Sequence, residues 1–197
     1  MAGVFGALSF FEPCTIATHT LFAVRTHHAP AKQRWLSLMQ LALSRILLLV
    51  TLFTSAAAIG LGAFSSRIAA LMLGVAGLVY LGSRTIYLPV PHLAFFRLMP
   101  WHTKLPQGYK LGLTLPACTL PLVAITGMAS ALAQRPGIAA LAGLIFATLF
   151  TLPTIWDSTR KLDAAHRIFL GTAATLSPYI TTLLLWSGAF LIWQTEI

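Results

Sequence analysis

Phe10-Phe11-Glu12-Pro13-Cys14-Thr15 lies inside the first hydrophobic run of the chain, where it places a carboxylate, a proline and a thiol near mid-run. A second version follows about 100 residues later as Leu115-Pro116-Ala117-Cys118-Thr119-Leu120-Pro121, and Cys14 and Cys118 are the only two cysteines. Proline lacks a backbone N–H, so Pro13 cannot donate to the carbonyl of Ser9, Pro116 to that of Gly112, or Pro121 to that of Ala117. Inside a bilayer such freed carbonyls persist only where they face protein or a water-filled cavity. The two stretches therefore predict two broken membrane helices, each carrying a cysteine at its break.

The composition supports a membrane setting. Hydrophobic residues make up 57% of the 197 residues and charged residues only 9%, and the mean hydropathy is +0.82. Soluble domains are about a quarter charged, so this chain reads as one integral membrane domain over residues 1–197. The apolar runs predict six transmembrane helices, at roughly 20 residues each. They cover Gly3–Val24, a stretch ending with Ile46–Phe64, Ile68–Leu88, Leu111–Ala133, Ile138–Trp156 and Ile168–Trp193. Trp35–Ser44 suits the interface and first turns of the second span, with Arg45 at its edge as a snorkelling anchor. Arg84 reads in the same way. His92–Trp101 reads as an interfacial segment, and Gln134-Arg135-Pro136-Gly137 as a tight turn. Asp157 and Asp163 fall in a charged loop. Trp35, Trp101, Trp156 and Trp193 fall at span ends, as an aromatic belt would.

The formal net charge is +9, from 13 Lys and Arg against 4 Asp and Glu. The basic residues sit in short loops between apolar runs, which fits the setting of topology and not nucleic-acid binding. Arg25, Lys32, Arg34, Arg97, Lys104, Lys110, Arg160, Lys161 and Arg167 fall on one side, against Arg67 and Arg135 on the other. The positive-inside rule places the nine in the cytoplasm and both termini outside. The N-terminus lacks the basic region and cleavage site of a signal peptide.

Leu8–Thr15 can be laid on Leu113–Thr119, each stretch carrying a proline shortly before its cysteine in apolar surroundings. The fourth span comes three after the first, an odd offset that reverses its direction, so the halves, about 1–90 and 105–197, predict a 3+3 inverted repeat. Such folds place their site near the midplane, on interrupted helices. Cys14 is 11 residues before Arg25 and Cys118 is 8 residues after Lys110, so both thiols lie roughly 12–16 Å from the basic side. A disulfide needs Cα atoms about 4.4–6.8 Å apart, which packed first and fourth spans can supply. Cys14 and Cys118 are accordingly read as one redox pair, supported by the breaks at Pro13, Pro116 and Pro121. A positive half-helix end at each break favours negative charge there.

Glu12 is a carboxylate at mid-span, a functional candidate by its cost alone. His19 follows seven residues later, on the same face if the helix is unbroken. Both are candidates for a proton or polar role. No nucleotide, haem or metal-site spacing is present, and no cofactor is expected.

At these residues the chain resembles the CcdA group of cytochrome c biogenesis proteins, related to the transmembrane domain of DsbD. Pro13-Cys14 and Cys118-Thr119-Leu120-Pro121 carry the resemblance, and the six-span layout agrees with it. It departs at Ala17, where the family often has proline, and at Glu12, where a small or apolar residue is usual. The resemblance implies a thiol–disulfide relay in a prokaryotic inner membrane. Cytoplasmic thioredoxin reduces the cysteine pair, and the pair reduces an extracytoplasmic thioredoxin-like protein, as in cytochrome c maturation. The alternative is a small-solute or metal-ion transporter on the same scaffold, with Glu12 and His19 holding the cargo.

Overall fold

The computed structural model describes residues 2–59, 66–82, 93–159 and 164–194. These are almost wholly helical: α1 (Ala2–Phe10), α2 (Pro13–His27), α3 (Ala31–Ile59), α4 (Ser66–Gly82), α5 (Gln107–Gly112), α6 (Leu120–Ala133), α7 (Pro136–Thr159) and α8 (Ala164–Gln194). Among the described residues three helices are long and apolar enough to cross a membrane: α3, α7 and the Ile168–Phe190 part of α8.

The first and fourth expected spans are not single long helices. The first is split between α1 and α2. A residue before proline is pushed out of the helical region, and Glu12 is extended, with φ −67° and ψ 135°. Pro13 then opens α2, at a position where its missing N–H costs nothing. The fourth expected span is interrupted more fully. Between α5 and α6, Leu115 precedes Pro116 in a two-residue strand, β2 (Thr114–Leu115), and Ala117–Thr119 forms a single 3₁₀ turn. Pro116 and Pro121 thus lie outside or at the start of a helix, not within one. The third expected span is the 17-residue α4, and its expected end, with Arg84, lies outside the described residues.

The interruption keeps its backbone groups paired. Strand β1 (Leu93–Ala94) lies antiparallel to β2, with Leu93 opposite Leu115 and Ala94 opposite Thr114. Phe95 N donates to Leu113 O at 2.9 Å. The Thr119 N–H and hydroxyl both bond Pro116 O, at 3.0 and 2.8 Å. The His92–Trp101 region is therefore more than an interfacial segment, because its start supplies a strand to the break.

Helix α3 packs along α7, α4 along α8, α1 and α2 against α7, and α5 and α6 against α3. Close approaches occur where glycine faces backbone. A Cβ on Gly143 would meet Val50 Cα at 2.8 Å, and one on Gly6 would meet Phe146 O at 2.5 Å. The main apolar core contains Phe5, Phe10, Leu49, Phe53, Leu115, Leu122, Phe146 and Phe150. A smaller cluster of Phe22, Leu38 and Leu41, with Leu111 and Ile155, gathers the end of α2, the first half of α3, the end of α5 and the end of α7. The exposed Arg25 and Lys32 flank these same segments, so this is the basic end of the molecule.

Two charged residues depart from their expected places. Arg45 lies 14 residues from each end of α3 and is 0% exposed, so it does not snorkel. Trp35–Ser44 and Ile46–Ile59 belong to one helix, so Trp35–Ser44 does form earlier turns of the second expected span. Asp157 is buried in the last turns of α7 instead of standing in a charged loop. The turn at Gln134 forms as expected, with Gln134 left-handed at φ 49°. Trp35, Trp101, Trp156 and Trp193 are all exposed.

Candidate functional site

Cys14 and Cys118, 104 residues apart in sequence, are joined as a disulfide with Cα atoms 6.6 Å apart. Each cysteine stands at the start of the helical segment that follows a break. Glu12 caps α2, so Cys14 is its second residue. Cys118 occupies the 3₁₀ turn that runs directly into α6, one residue before its cap, Thr119. Helix starts carry unpaired N–H groups and a partial positive charge, an environment that suits a sulfur developing negative charge. Both cysteines are half-buried. On the face of α2 that carries Cys14, Ala17 and Leu21 are exposed, whereas Leu122 and Ile125, at helical spacing from Cys118, are buried, so the disulfide lies between an exposed face of α2 and the core.

Glu12 is 1% exposed. Its Oε1 accepts a hydrogen bond from Ser177 Oγ of α8 at 3.1 Å, and its backbone oxygen accepts from Ile16 N at 2.8 Å. The carboxylate thus ties α8 to the first break, two residues from Cys14.

His19, also 1% exposed, belongs to a different cluster. Its Nε2 pairs with Arg45 Nη2 at 3.1 Å, and its Nδ1 with Thr154 Oγ1 of α7. Arginine only donates, so Nε2 is the acceptor and the ring hydrogen sits on Nδ1, donating to Thr154. The ring stacks on Phe150 at 5.6 Å, and the Arg45 guanidinium lies 4.1 Å above that same ring. Glu12, the cap of α2, and His19, within the same helix, are held by different neighbours: Glu12 by Ser177 of α8, and His19 by Arg45 of α3 and Thr154 of α7. Their recorded partners lie on different helices. Among the described residues no group of three or more His, Cys, Asp or Glu side chains could hold a metal ion.

Sequence reasoning missed Arg45, which completes the second break from below. Helix α5 ends inside the protein and leaves carbonyls to be satisfied. Leu113 N reaches Tyr109 O at 2.9 Å, Thr114 Oγ1 reaches Lys110 O at 2.7 Å, and Arg45 Nη2 reaches Leu111 O at 3.3 Å. A cation at the negative end of a helix is favourable. The available signal was an arginine inside 25 residues of otherwise uncharged sequence, Trp35–Ile59.

Compared with protein-family models, curated proteins and solved structures, the chain has no match.

Proposed function

We propose that this protein is a membrane thiol–disulfide relay that passes two electrons at a time through Cys14 and Cys118. The observation that carries the reading is the joining of the two cysteines, from opposite halves of the chain, at the starts of two interrupted helices. A half-buried disulfide at such breaks can be attacked without unfolding the core.

In the proposed cycle a thiolate of cytoplasmic thioredoxin attacks one sulfur. The S–S bond breaks, a mixed disulfide forms, and the other cysteine leaves as a thiolate that takes up a proton. Thioredoxin's second thiol then displaces the mixed disulfide. Thioredoxin is oxidised, and Cys14 and Cys118 are both reduced. The reverse sequence with an extracytoplasmic thioredoxin-like protein restores the disulfide and delivers the electrons outside. The CcdA-like motifs support this choice of partners, and cytochrome c maturation is a process such a protein serves.

The same proposal includes a 3+3 inverted repeat in a prokaryotic inner membrane, with both termini outside. The helix packing supports the repeat. Exchanging the halves maps α3 on α7 and α4 on α8, and it turns the α1–α2 contact with α7 into the α5–α6 contact with α3. In membranes quenched with acid and labelled with a mass-tagged maleimide, reduced thioredoxin should convert the pair from unlabelled to doubly labelled. A pair that stays oxidised beside excess reduced thioredoxin, yet opens to a small chemical reductant, rules the donor out.

A further inference from the structure

His19 and Leu111 lie on the two cysteine-bearing segments, five residues after Cys14 and seven before Cys118. Arg45 holds both through one nitrogen, Nη2, and Thr154 holds His19 from α7. These residues form a polar layer across α2, α3, α5 and α7. Beyond it, toward the basic end, lies the apolar cluster of Phe22, Leu38, Leu41, Leu111 and Ile155. Along α2 the layer and then the cluster follow Cys14 toward that end, and on the second segment Leu111, held by Arg45, precedes Cys118.

The layer is incompletely satisfied. Arg45 Nε and Nη1 are buried and have no hydrogen-bond partner among the described residues. A buried donor without a partner carries its full desolvation cost, and a mid-bilayer arginine adds to it. Phe150 and the carbonyl end of α5 offset part of this. Water reaching Arg45 from the basic end would satisfy both free donors, so the closed arrangement competes with a hydrated one.

We propose that the Arg45–His19–Thr154 layer is the gate separating the disulfide from the basic end, and that it opens by admitting water to the Arg45 guanidinium. The inference rests on the relay reading, in which a reductant arrives from that end. Removing His19's acceptor leaves Arg45 less satisfied and favours opening. Removing the guanidinium as well takes away the unpaired buried donors, and deleting both partners of a bond is nearly neutral.

The test reduces the disulfide chemically in sealed vesicles with the basic end outward, then follows Cys14 labelling by a membrane-impermeant maleimide. His19→Phe keeps an aromatic ring on Phe150 and should label about fivefold faster than wild type, the population change of roughly one hydrogen bond. Adding Arg45→Met to His19→Phe should return labelling to the wild-type rate or below. Thr154→Val replaces His19→Phe if that variant does not fold, with the same expected direction. Single and double variants that label alike, at whatever rate, overturn the gate. Chemically reduced thiols need no protein partner, so this result is independent of whether thioredoxin is the donor.

Discussion

Ser177 donates a hydrogen bond to Glu12 across 165 residues of sequence, at 3.1 Å and in a buried setting. It joins α8 to the bend where α1 ends and the first cysteine segment begins. A carboxyl group two residues from Cys14 is therefore held by α8.

That bond separates two roles for Glu12. Glu12→Gln keeps an oxygen for Ser177 but removes the ionisable proton. We expect its thermal unfolding in detergent to match wild type while thiol exchange slows. Ser177→Ala leaves Glu12 short of a donor and should cost about 1–3 kcal/mol of stability. Equal, unimpaired exchange rates for Glu12→Gln and wild type would limit Glu12 to a structural part.

Gly112 ends α5 against α3. A Cβ there would collide with Ser44 Oγ and stand 2.7 Å from Leu41 O. Gly112→Ala should push α5 outward, cost about 1–3 kcal/mol, and lower the fraction of protein in which Cys14 and Cys118 are joined. Gly171→Ala in α8 is the control. A Cβ there meets nothing within 4 Å, and alanine should add about 0.5–1 kcal/mol of helix stability. Non-reducing gels and thermal melts check both.

Gln134 occupies the left-handed position at the end of α6. Glycine adopts that conformation without the steric cost a side chain brings. Gln134→Gly should raise stability by about 0.5–1 kcal/mol and leave thiol exchange unchanged, as melts and exchange assays on the same preparation would show. A lowered melting temperature would mean that the Gln134 side chain has a packing role.

Much of this architecture was legible in the sequence because its causes are local. Proline forces the residue before it out of the helix, so the bends at Glu12 and Leu115 could be read from Pro13 and Pro116. The turn at Gln134 was equally local. Arg45 was misread because an arginine at the edge of an uncharged run looks like an anchor. Its burial depends on His19, 26 residues away, and on Leu111, 66 residues away. No windowed pattern contains such distances. The pairing of Leu93–Ala94 with Thr114–Leu115 was hidden for the same reason, and the burial of Asp157 depends on how α7 packs. Cys14 and Cys118 could be matched across 104 residues only because there are no other cysteines to choose from.

The central claim is that Cys14 and Cys118 exchange disulfides with a thioredoxin. It is tested most directly by trapping. Membranes carrying Cys14→Ser or Cys118→Ser are mixed with thioredoxin lacking its resolving cysteine, quenched with acid and run without reductant. The account predicts that at least one single variant holds thioredoxin in a covalent complex that reductant dissolves. The double variant should hold none, and both single variants should lose electron delivery to the outer face. Two single variants that keep full delivery and trap no thioredoxin would contradict it.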